Sequence, residues 1–102
     1  MQFTFTKSKI PNVVLIEPRL FPDDRGYFFE SFHLKKFTEA TGLAINFVQD
    51  NQSSSTYGVI RGLHFQKGVH AQAKLVRVLS GKVIDVAVDL RPGSETYGQF
   101  EA

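Results

Sequence analysis

The chain has no cysteine and no tryptophan. Without thiols there can be no disulfide framework, no thiolate metal site and no cysteine nucleophile, which suits a reducing compartment. A dominant charge of one sign is missing too. Lys and Arg number 12 against 10 Asp and Glu, a net charge of +2. The basic residues are scattered, with Lys35 and Lys36 the only adjacent pair. That excludes the basic stripe which a nucleic-acid partner requires. No apolar run approaches the roughly 20 residues of a membrane-spanning helix. The first ten residues alternate Phe3 and Phe5 with Thr4 and Thr6 and lack the unbroken apolar core of a signal peptide. The expectation is a soluble, cytoplasmic chain with no nucleic-acid or membrane partner. Glycine-rich phosphate loops are absent as well: Gly42, Gly58, Gly62, Gly68 and Gly81 stand singly, as turn or bulge residues do.

What is present is an ordinary globular mixture, 42% hydrophobic and 22% charged, with an excess of phenylalanine at 10 residues. No long linker, repeat or low-complexity tract divides residues 1–102, which read as a single domain at most. Short alternating or β-branched runs between turn residues predict an all-β fold. Strands are expected at residues 13–16, 27–30, 46–51, 59–66, 74–79 and 82–90, with a turn at 22–26. One short helix is expected over residues 34–40, with Ser31 as a candidate N-cap and Gly42 beyond its end. Ser80-Gly81 has the chemistry of a tight hairpin link between the last two strands. Along that final strand Ile84, Val86, Val88 and Leu90 share a core face, and Asp85 and Asp89 share a polar one. Residues 53–56 read as a short polar loop. From Arg91 to Phe100 a new turn-plus-strand pattern opens and stops, so the domain is expected to be an incomplete one.

Several side chains invite a chemical role. A histidine between Leu63 and Phe65 is, taken singly, more often structural than catalytic. Here Arg61, His64 and Gln66 crowd one otherwise apolar segment, and Lys74 opens the next. An arginine in an apolar strand calls for a carboxylate or phosphate to meet its planar fork. Gln49 and Asn51 fall on the same side of a strand, where they either satisfy each other or line a pocket. Arg25 and Glu30 flank the aromatic run of Tyr27, Phe28 and Phe29. That layout fits a salt-bridged edge strand, or a site where a ring stacks on a base and arginine meets a diphosphate.

The segments Asp24-Arg-Gly-Tyr-Phe-Phe-Glu-Ser-Phe32, Phe47-Val-Gln-Asp-Asn51, Gly58-Val-Ile-Arg-Gly-Leu-His-Phe-Gln66, Gln72-Ala-Lys-Leu-Val-Arg77 and Asp85-Val-Ala-Val-Asp-Leu-Arg91 resemble, in order and spacing, the N-terminal part of the dTDP-4-dehydrorhamnose 3,5-epimerases. Gln52 departs from the histidine usual there. The resemblance implies a cupin-type jelly-roll β-barrel, here truncated, and a homodimer. It also implies a cofactor-free inversion of C3 and C5 of dTDP-4-dehydro-6-deoxy-D-glucose, in dTDP-rhamnose biosynthesis. By position, His64 matches the general base and Lys74 the residue near the sugar carbonyl. Arg25, Phe28, Glu30, Gln49, Asp50, Asn51 and Arg61 match the substrate-binding set. The family's tyrosine proton donor and the acidic partner of its histidine lie in its second half, and Tyr27, Tyr57 and Tyr97 do not match the donor. Metal-binding cupins use a His-x-His pair with a later glutamate. Gln66 breaks that pair and no glutamate follows before Glu95, so no metal is expected. Two alternatives remain open: a non-catalytic sugar-nucleotide-binding fragment, and a related 3-epimerase or ketoisomerase.

Overall fold

The computed structural model describes residues 2–102, so Met1 of the N-terminal run lies outside the described residues. The alternation of phenylalanine and threonine builds β1 (Phe3–Lys7), which pairs antiparallel with β2 (Val14–Pro18). Phe3 faces Pro18 and Phe5 faces Ile16 in that register, giving one half-buried apolar face. The loop between them closes on itself. Ser8 N–H donates to Val13 C=O at 3.1 Å, and Asn12 takes a left-handed φ of 70°, which asparagine tolerates better than most residues. Ile10, at the loop's centre, is buried.

The expected turn at residues 22–26 is narrower in the structure. Phe21 to Asp23 form β3 and Gly26 to Phe28 form β4, so only Asp24 and Arg25 make the bend. Pro22 lies inside β3, opposite Tyr27. A two-stranded ladder leaves each strand an outer edge where proline's missing N–H costs nothing.

The helix α1 (Leu34–Thr41) matches expectation in place, while its cap does not. His33, not Ser31, is the N-cap: its Nδ1 accepts from Lys36 N–H at 3.3 Å. Serine two positions earlier is out of reach of the first free N–H groups. Gly42 ends the helix at φ 71°, its N–H returning to Thr38 C=O. Phe37 is buried against Phe32 and Phe47, with all three ring pairs 5.7 or 5.8 Å apart and steeply inclined. Such tilted packing suits the aromatic quadrupole. Leu34, one turn earlier, is exposed.

The second half of the chain departs most from expectation. Residues 46–51, 59–66 and 74–79 form no ladder, and of residues 82–90 only β5 (Ala87–Val88) pairs, with β6 (Phe100–Glu101). A 3-10 turn spans Gly68–His70. Gly81 has the positive φ of a tight turn, 88°, but the arms on either side of it are not paired. Alternation marks a segment as fit for a sheet, yet a strand is completed only by backbone partners. Those partners are missing among the described residues, and Ile60 and Ile84 are 91% and 86% exposed. Among the described residues three two-stranded ladders result, with one α-helix and no closed barrel. None of the described helices is long and apolar enough to cross a membrane.

Candidate functional site

Around the β3–β4 hairpin the carboxylate of Asp23 organises the bend. It accepts from Arg25 N–H at 2.8 Å and from the Arg25 guanidinium at 2.7 Å. The Arg25 side chain, followed by its backbone N–H, holds the Asp23 carboxyl below the usual carboxylate range. Beyond the hairpin, Glu30 meets Lys36 of α1 at 3.3 Å. Tyr27 and Phe29 stack at 5.9 Å, and the Arg77 guanidinium lies 5.8 Å from the Phe29 ring. The segment holding Lys74 and Arg77 is thereby tied to the aromatic run. Phe28 and Lys74 are exposed.

Gln49 Nε2 donates to Asn51 Oδ1 at 3.3 Å, as two amides on one side of an extended segment can. Asp50 between them is exposed. Arg61 turns back onto the polar loop, giving Nε to Ser55 Oγ at 2.9 Å and Nη2 to Ser54 C=O at 3.1 Å. That loop carries no periodicity, and its role is visible only once the guanidinium is placed. His64 is exposed, and a Cβ added at Gly62 would lie in ordinary contact with it, 3.5 Å from His64 Nδ1. Gly62 has φ 125°, a backbone that an L side chain adopts only with strain. Among the described residues no hydrogen bond joins Arg61 to His64, and no three His, Cys, Asp or Glu side chains gather at a common point.

One polar knot escaped the sequence reading. Asp89, placed by alternation on a polar face, is buried. Its carboxylate accepts from Arg91 Nε and Nη2 at 2.9 and 3.0 Å, from Arg91 N–H at 3.0 Å, from Ser94 Oγ at 2.6 Å and from Thr96 Oγ1 at 2.5 Å. The Arg91 side chain, then Ser94 and Thr96, holds this carboxyl far below the usual range, and Asp89 raises Arg91 in return. Gly98 and Gln99 both oppose Asp89: Gly98 N–H donates to its C=O at 2.7 Å, and its own N–H donates to Gln99 C=O at 2.9 Å. With Gly98 at φ 81°, this is the geometry of a glycine bulge. The signal available in advance was the run of Asp89, Arg91, Ser94 and Thr96 around Pro92-Gly93.

Residues 7–102 match the sequence family described as dTDP-4-dehydrorhamnose 3,5-epimerase. The chain belongs to that family. A curated dTDP-4-dehydrorhamnose 3,5-epimerase from Pseudomonas aeruginosa is 58% identical over 95 residues, covering 93% of this chain and 52% of the relative. The crystal structure of the epimerase from Elizabethkingia anophelis NUHP1 is similar at a TM-score of 0.93 and 55% identity, covering 99% of this chain and 55% of that one. The dTDP-6-deoxy-D-glucose-3,5-epimerase RmlC from Legionella pneumophila, in complex with dTDP-4-keto-L-rhamnose, is similar at 0.82 and 39% identity. It covers 98% of this chain and 53% of that one. The chain thus spans about half the length of the epimerases it matches. The five segments that carry the resemblance all lie inside the matched residues.

Proposed function

We propose that this chain contributes the base-bearing half of an epimerase that converts dTDP-4-dehydro-6-deoxy-D-glucose to dTDP-4-dehydro-L-rhamnose, in dTDP-rhamnose biosynthesis. The observation that carries the proposal is the likeness to the Legionella pneumophila enzyme, which holds a dTDP-4-keto sugar, over 98% of this chain. In the proposal the fold is part of a cupin jelly-roll barrel, the assembly a homodimer and the compartment the cytoplasm.

The residue types suit the chemistry. Hydrogens on C3 and C5 are acidic because they flank the C4 ketone. His64, which is exposed, takes such a proton at an imidazole nitrogen. The C–H electron pair moves into the ring and leaves negative charge on the C4 oxygen. Lys74 places its ammonium at that oxygen, and such a donor contributes about 3 kcal/mol to the transition state. Return of a proton to the opposite face of the same carbon completes the inversion, and its donor comes from outside the span this chain matches. Arg61 and Arg25 hold the diphosphate, Phe28 packs on the base, and Glu30, Gln49, Asp50 and Asn51 contact the sugar nucleotide and fix the ring against the histidine. Ser54 and Ser55 occupy the Arg61 guanidinium with uncharged acceptors. A diphosphate replaces these with a stronger, charge-assisted pairing.

Solvent exchange tests the proposal. In D2O the chain should place deuterium at C3 or C5 of the 4-keto sugar nucleotide, slowly and without efficient inversion. The His64→Ala and Lys74→Ala variants should abolish the uptake. Exchange that survives in both variants would overturn these roles.

A further inference from the structure

Lys35 and Lys36 are neighbours in sequence but lie about 100° apart around α1. Lys35 faces solvent: its pairing with Glu39 is 3.9 Å long, and the two side chains are 80% and 64% exposed. Lys36 turns inward. Its Nζ donates to Glu30 Oε1 at 3.3 Å, with side chains only 32% and 26% exposed. The same ammonium lies 5.7 Å from the centre of the Phe3 ring. One side chain thus joins β1, α1 and the segment that leaves β4.

The stem of Lys36 is fixed by its neighbours. Its backbone N–H is held by His33 Nδ1, and Phe37, the next residue, is buried against Phe32 and Phe47. A solvated pair such as Lys35–Glu39 restrains its partner weakly, because each side chain gives up rotamer freedom for a screened attraction. A half-buried pair on a fixed stem is screened less and orders less. Lys36 therefore directs the Glu30 carboxylate. Among the described residues only Oε1 of that carboxylate is engaged, whereas a carboxylate accepts at both oxygens.

A carboxylate set beside a diphosphate repels it, and like charges brought together in a binding site are costly. We propose that Lys36 is a positioning residue for nucleotide binding. By engaging Oε1 it offsets the charge of Glu30 and leaves Oε2 to accept from a hydroxyl or N–H of the sugar nucleotide. Lys36 acts through Glu30 and not on the ligand itself. The inference deepens, and rests on, the reading under which Glu30 contacts the sugar nucleotide.

Calorimetric titration with dTDP in a double-mutant cycle tests it. Lys36→Met should weaken binding at least fivefold, and Lys36→Arg should restore it to within twofold of wild type. Lys35→Met removes the same charge one residue away and should change affinity less than twofold. With Glu30→Gln already in place, Lys36→Met should also change affinity less than twofold, since no carboxylate charge remains to be offset. The proposal falls if Lys36→Met binds dTDP as the wild type does. It falls equally if Lys35→Met costs as much, which would make the effect one of overall charge. A loss that persists undiminished in the Glu30→Gln background overturns it too, because Lys36 would then touch the diphosphate or merely hold the fold. A wild-type chain that binds no dTDP sinks the reading of the site and this inference together, whereas tight wild-type binding with any of the other three results sinks this inference alone.

Discussion

Arg91 clasps Asp89 through two parallel hydrogen bonds, Nε at 2.9 Å and Nη2 at 3.0 Å, while Asp89 itself is only 3% exposed. Ser94 and Thr96 complete the cage from the same turn. A carboxylate held this way has its folded pKa well below its ordinary value of 3.8. The stability it contributes is therefore complete above that value and is lost as pH falls through it toward the folded pKa. The wild-type chain should lose thermal stability progressively below about pH 4, the ordinary carboxylate range. Asp89→Asn should melt several degrees lower at neutral pH and show a flatter acid limb. Thermal unfolding by circular dichroism between pH 2 and 7 measures both.

The helix cap separates two histidine-region residues that the sequence alone confuses. His33→Ala should destabilise α1 by about 1 kcal/mol, since the Lys36 N–H loses its acceptor. Ser31→Ala should be neutral, and His33→Asp should retain the cap. Urea titrations of the three variants decide it. Equal losses for Ser31 and His33 would contradict the cap assignment.

Nucleotide affinity should depend on Arg61 and not on His64. Arg61→Ala should weaken dTDP binding by about 1–3 kcal/mol, the worth of a charged hydrogen-bonding fork. His64→Ala should leave it within twofold, because its proposed partner is a sugar carbon that dTDP lacks. Calorimetric titration with dTDP checks this, and matching losses for the two variants would overturn the division of roles.

Gly62→Ala should separate positioning from binding. At φ 125° the added Cβ strains the backbone by about 1–3 kcal/mol, and it comes to 3.5 Å from His64 Nδ1. Deuterium uptake into the 4-keto sugar should fall at least tenfold, while dTDP affinity changes little. Unaltered uptake would show that the imidazole does not depend on this approach.

Features whose causes lie within a few residues were legible in the chain. The alternation of residues 3–7 became β1, and the helix with Gly42 at its end arose where its pattern placed it. The five motifs, being matters of order and spacing, carried the family before any coordinate did. His33 sat within the same short window, yet imidazole is a less familiar cap than serine, and only the hydrogen bond distinguished them. Tertiary structure decided the rest. Alternation put Asp89 on a wet face, but a side chain is buried or exposed by what folds over it, and the turn at 91–96 folds over Asp89. The serine loop acquired a function only when Arg61 reached back to it. The largest gap concerns residues 46–86, where alternation established which faces are apolar but not which backbone pairs with them. Side-chain pattern is a property of the segment itself, whereas a ladder belongs to two segments at once, so pairing waits on a partner that the local sequence does not name.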